Sequence, residues 1–83
     1  MKYSQFEDSK GTIYEIFATY HDDENNKDFI VYTDKTFTKD NKINLYYSLY
    51  KNVNNGIILI NTESLEDKKI GLQLVQEILK DLK

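Results

Sequence analysis

The chain of 83 residues contains no cysteine, proline, tryptophan or arginine, a single histidine and three glycines. Each absence removes a class of explanation. Without cysteine, neither disulfides nor thiolate-bound zinc can supplement the hydrophobic core. Without arginine there is no planar fork for bidentate contacts to phosphate, carboxylate or guanine, and lysine does not copy that geometry. Gly11, Gly56 and Gly71 stand too far apart to build a phosphate-cradling loop. No apolar run reaches the roughly 18 residues of a membrane-spanning helix, and the N-terminal stretch has no signal-like apolar core. No membrane association and a cytoplasmic location are therefore expected.

What is present reads as a small folded domain. Apolar residues make up 40% and charged residues 30% of the chain, a globular composition and not a disordered one. Residues 1–83 are expected to form one domain. A chain of this size buries only about 60–65% of the surface that its unfolded form exposes, so one sheet covered by one helix is about what it can support. All eleven basic residues are lysines, scattered along the chain under a net charge of −3. That pattern disfavours nucleic acid as the main partner, although a local basic stripe stays open.

The apolar periodicity predicts an antiparallel meander followed by a helix, an α+β architecture of four to five strands with one C-terminal helix packed on one face. Residues 12–21 alternate as a strand, with Tyr14, Ile16, Ala18 and Tyr20 on one face as the better core candidates. Residues 28–34 are β-branched and aromatic on both faces, which suits the middle of a sheet. Residues 42–53 form the longest alternating run, placing Ile43, Leu45, Tyr47 and Leu49 on one face. A final strand at 57–61 follows, and a short N-terminal strand at 2–6 completes the set. Asn55-Gly56 is the pair preferred at the centre of a two-residue hairpin turn, because both positions need positive φ. That turn would oppose Asn54 to Ile57, Val53 to Ile58 and Lys51 to Ile60.

Residues 65–82 carry helical periodicity. Ser64 and Asp67 resemble a capping box. Leu65, Leu72, Leu74, Val75, Ile78, Leu79 and Leu82 fall within about half the circumference, in an arc centred near Val75 and Leu82. Gly71 lies near the middle of this arc. An interior glycine costs about 1 kcal/mol relative to alanine, so close approach of the helix to the sheet is its simplest explanation.

Two clusters invite a functional reading. The first is His21-Asp22-Asp23-Glu24, in the turn between the first two long strands. As a calcium loop it fails, because Lys27 stands where glycine is needed and Thr33 where the bidentate glutamate belongs. As a transition-metal site it lacks a second histidine or a cysteine. The sequence therefore predicts a solvated turn whose acids discourage edge pairing, with no metal and no other cofactor. Hydroxyl side chains abound, but there is no second histidine and no arginine to act as an anion clamp, so no catalytic residues and no enzymatic activity are expected.

The second cluster is the set of tyrosines. If the helix covers the face with Leu45, Tyr47 and Leu49, then Tyr46, Tyr50, Ile57 and Leu59 share the wetter one. Tyrosine gives large contact area at low entropic cost, and it also has high β propensity on exposed sheets. The expected function is a non-catalytic protein–protein interaction or regulatory module, with those four residues meeting an unidentified protein partner. The alternative is a single-stranded nucleic-acid-associated protein that stacks bases on the same face.

The residues "YEIFATYHDDENNKDFIVYTD", then "INLYYSLYKNVNNGIILINTES", then an amphipathic helix, resemble the YrzB-like small proteins of low-GC Gram-positive bacteria, a domain-of-unknown-function family. Glu15, Ile16, Phe17, Thr19 and Tyr20 match the family's first element, Phe29 to Tyr32 its second, and Gly56, Leu59, Ile60 and Glu63 its last strand and helix start. The family's proline is absent here, the helix start is longer by a few residues and the chain is less acidic. The resemblance spans roughly residues 12–82 and implies no activity and no catalytic residues. A nuclease gene of the Holliday-junction-resolvase type often lies near the family's genes, an association that points toward nucleic-acid metabolism or its regulation.

Overall fold

A computed structural model of the protein describes residues 5–54, 56–62 and 64–81. Five strands and one helix follow in chain order: β1 (Gln5–Glu7), β2 (Ile13–Asp22), β3 (Lys27–Thr33), β4 (Tyr46–Val53), β5 (Gly56–Ile60) and α1 (Leu65–Asp81). Each strand pairs antiparallel with the next, so the sheet order is β1-β2-β3-β4-β5. This is the expected α+β meander with its helix on one face. Residues 2–4 of the expected first strand, Asn55 of the expected turn and Leu82 of the helical arc lie outside the described residues.

β3 is the central strand, and its sequence explains why. Phe29, Ile30, Val31 and Thr33 are completely buried, and they alternate between both faces of the sheet. Directly opposed residues share a face, so the register sorts the side chains. Ala18, Val31 and Tyr47 lie together on one face with Tyr20, Phe29 and Leu49. The helix packs on this face above β3 and β4.

Three expectations about the strands are corrected. The alternation of Tyr14, Ile16, Ala18 and Tyr20 breaks at a β-bulge. Ile16 opposes Tyr32 while Ala18 opposes Val31, and Phe17 is the extra residue between them. One inserted residue exchanges the faces. Tyr14 and Ile16 therefore lie on the face away from the helix, and Ala18 and Tyr20 on the helix face.

The fourth strand begins at Tyr46 and not at residue 42. Residues 36–44 close on themselves, with Phe37 bridged to Ile43 and the amide of Asn44 donating to the Thr36 carbonyl at 2.9 Å. Asn41, at φ 64°, turns this small hairpin. Its backbone groups are satisfied locally, so Ile43 and Leu45 do not extend β4.

The last hairpin is offset by two residues. Val53 opposes Gly56, Lys51 opposes Ile58 and Leu49 opposes Ile60. Residues 54 and 55 separate the closing pair. Asn54 takes positive φ (50°), a conformation asparagine tolerates, so the turn forms one position earlier than the Asn-Gly pair suggests. A two-residue offset preserves side-chain parity, and Ile58 still shares the face of Tyr47 and Leu49.

Of the expected capping box only the serine half forms among the described residues, because the Asp67 carboxylate turns to Lys27 and not back to the Ser64 amide. The amide of Asp67 donates to Ser64 Oγ at 3.1 Å, and the Asp67 carboxylate accepts from Lys27 Nζ at 2.8 Å. The side facing the sheet carries Asp67, Ile70, Gly71, Leu74, Val75 and Ile78. Leu65, Leu72 and Leu79 stand on an exposed shoulder, with Leu65 78% accessible. The arc centre near Val75 holds, but the three leucines seven residues apart are not part of the buried stripe. A narrow helix over two strands can seat only a narrow band of side chains.

Candidate interaction face

The face away from the helix is built from all five strands. Phe6 opposes Tyr14 and Tyr32 opposes Tyr46, while Tyr50 opposes Leu59 and Asn52 opposes Ile57. The structure therefore brings Tyr46, Tyr50, Ile57 and Leu59 together on one face, as the sequence parity predicts. Sequence reasoning missed Phe6, Tyr14 and Tyr32. The bulge at Phe17 delivers Tyr14 to this side, and the adjacent apolar pair Ile16-Phe17 is the sole local trace of it.

These rings pack on one another. The centroids of Phe6 and Tyr14 lie 5.2 Å apart with nearly stacked planes, and each meets Tyr32 edge-on at 5.3 and 5.1 Å. Tyr32 continues the row to Tyr46 at 5.7 Å. Such contacts each add about 0.5–1.5 kcal/mol beyond area burial, so the row is a second, shallow core as well as a surface. Beside it, Ile30 is fully buried and Ser48 nearly so, with the Ser48 hydroxyl donating to the Ile60 carbonyl at 2.8 Å.

Two aspartates hold the ends of the row. Tyr14 donates its hydroxyl to Asp8 Oδ2 and Tyr46 donates to Asp34 Oδ2, both at 3.1 Å. The other oxygen of each carboxylate is held by a local turn. Asp8 Oδ1 accepts from the amides of Lys10 and Thr12, and Asp34 Oδ1 from the amide and hydroxyl of Thr36. The Thr12 amide above all lowers the pKa of Asp8, and the Thr36 hydroxyl that of Asp34. Both stay ionised at neutral pH. Tyr14 is pushed up mainly by burial and Tyr46 mainly by its bond to Asp34, so the phenols stay protonated.

The register puts His21 and Asp28 on the aromatic face and both strand lysines, Lys27 and Lys51, on the helix face. The helix face carries charges of both signs, with Glu7, Glu15 and Asp22 on its strands beside the lysines. With Asp8 and Asp34 at the rim, the aromatic face presents carboxylates and no strand lysine.

The turn between β2 and β3 is tied down by its own acids. Asp22, only 7% exposed, accepts from the amide of Glu24 and from Asn25 Nδ2. Asn26 takes φ 52°. His21 Nδ1 meets Asp28 Oδ1 at 2.7 Å across the strands, and Nε2 faces Asp23 Oδ1 at 3.4 Å. The two imidazole nitrogens point to opposite sides, so these carboxylates cannot converge with the ring on one ion. Among the described residues, no group of three or more histidine, aspartate or glutamate side chains is placed to hold a metal ion. No helix among them is long and apolar enough to cross a membrane. Comparison of the chain with family models, curated proteins and solved structures finds no match.

Proposed function

We propose that this protein is a non-catalytic interaction module whose aromatic sheet face receives a basic segment of a protein partner. The observation that carries the reading is the pairing of ring faces with carboxylates. Tyr14, Tyr32 and Tyr46 lie between Asp8 and Asp34, and both strand lysines point the other way. Lysine and arginine side chains are attracted both to ring faces and to carboxylates, which makes this surface complementary to them. A phosphate backbone would meet the same carboxylates with repulsion, which weighs against the single-strand alternative. The segments that resemble the YrzB-like family fall on β2, β3 and β5, and we infer kinship with that family on this pattern.

The test pairs Tyr46→Ala with Tyr50→Ala. Tyr46 is 40% exposed, so folding should survive the change while a co-purifying protein is lost. Affinity capture is run with and without nuclease, and the captured protein's contact region is mapped by cross-linking. A basic contact region that disappears with the double substitution supports the reading. Capture of nucleic acid alone, released above about 0.2 M salt as counterion exchange requires, overturns it.

A further inference from the structure

We propose that the chain pairs with a second copy of itself along β5, antiparallel, about a twofold axis at Ile58. β5 is the last strand of the sheet, paired to β4 on one side, with no described strand on the other. Edge strands of monomeric proteins are blunted by charge, proline or bulges. The sequence of β5, "GIILI", has none of these, and its five pairs with β4 run without a register shift. The opposite edge is different. β1 carries Glu7 and runs beside Glu15 of β2.

The free backbone groups fit a twofold axis. In an antiparallel ladder, successive residues direct their N–H and C=O alternately to either side. The Ile60 carbonyl accepts from Ser48 Oγ of β4, so Ile60 and Ile58 direct theirs inward. Ile57 and Leu59 therefore direct theirs away from the sheet. An axis at Ile58 sets Ile57 opposite Leu59 of the second copy and joins these outward groups in two reciprocal pairs.

Side chains agree with this geometry. Ile58, 52% exposed on the helix face, would meet its own symmetry mate, and Ile57 would meet Leu59 on the aromatic face. Every opposed side chain is uncharged, so self-pairing sets no like charges together. A closed isologous contact of this kind uses the edge once and leaves none for further growth. The result would be one continuous sheet carrying two aromatic faces, independent of what those faces bind.

The test exploits the absence of cysteine. Wild-type protein should sediment at twice the chain mass at micromolar to millimolar concentration. Ile58→Lys should weaken self-association by at least about tenfold through like-charge opposition, with an unchanged circular dichroism spectrum. Across the axis the two residue-58 Cα atoms would sit about 4.5 Å apart, within disulfide reach. Mild oxidation should therefore cross-link Ile58→Cys readily and Ile57→Cys poorly, because residue 57 opposes residue 59. A monomeric wild type overturns the proposal. So does a preference for cross-linking Ile57→Cys. A dimer broken by Leu72→Lys but not by Ile58→Lys would place the contact on the helix and also overturn it.

Discussion

The ring of Tyr47 fills the space that a Cβ on Gly71 would need. A methyl group built there would overlap the ring edge, with Cδ1 and Cε1 nearest and Cγ next at 2.6 Å. Glycine at this helical position is thus a packing requirement that outweighs its poor helix propensity. Gly71→Ala should gain up to about 1 kcal/mol in propensity and lose more through overpacking, for a net destabilisation of about 1–2 kcal/mol. Urea denaturation measures it, and Tyr47→Leu in the same chain should recover part of the loss. A more stable Gly71→Ala protein would contradict the close approach.

The helix face is open to a direct comparison. Ile78 faces the sheet and Leu72 stands on the exposed shoulder at 52% accessibility. Ile78→Ala should cost on the order of 1–4 kcal/mol as a truncation against the sheet. Leu72→Ala should change stability by less than about 0.5 kcal/mol, as surface substitutions do. Equal losses at both positions would mean that the helix is rotated.

Ser64 and Asp67 act together at the helix start. Ser64→Ala removes the acceptor for the Asp67 amide and should destabilise the fold by about 0.5–2 kcal/mol. The Asp67 carboxyl is held below its ordinary 3.8, first by the Lys27 ammonium and also by Ser64. A depressed carboxylate contributes stability that is complete above the unfolded value and lost as pH falls through the folded one. Wild type and Asp67→Asn should accordingly converge in stability under acid, below pH 3.8. A difference that persists unchanged there would assign the effect to packing alone.

His21 runs the other way. Its bond to Asp28, with the nearby charge of Asp23, raises the imidazole above its ordinary 6.5 despite some desolvation. A raised cationic group contributes stability that is complete below 6.5 and lost as pH rises through the folded value. Proton NMR of the single imidazole should give a midpoint above 6.5, and Asp28→Asn should return it toward 6.5. The stability gap between wild type and Asp28→Asn should close as pH rises past that midpoint. An unchanged midpoint in Asp28→Asn would sink the assignment.

The sequence by itself determined the elements, their order and the architecture. The unbroken β-branched and aromatic run within residues 28–34 marked a strand buried on both faces, because only a central strand sets apolar side chains against neighbours above and below the sheet. The helix start at Ser64, the near-central place of Gly71 and the shared face of Tyr46, Tyr50, Ile57 and Leu59 were also legible. They depend on local hydrogen bonds, helical period and side-chain parity, all of which are properties of neighbouring residues. The tertiary structure decided what depends on competition between distant segments. The bulge at Phe17 follows from fitting β2 against β3, and it alone carries Tyr14 to the aromatic face. The start of β4 at Tyr46 follows from the loop at 36–44 satisfying its own amides. The hairpin slid two residues, with Asn54 in a positive-φ conformation that asparagine tolerates, and such a slip leaves every side chain on its original face. Partial burial of Leu74 and Val75 but not of Leu65 or Leu72 depends on where the Tyr47 ring lets the helix settle, which no periodicity encodes.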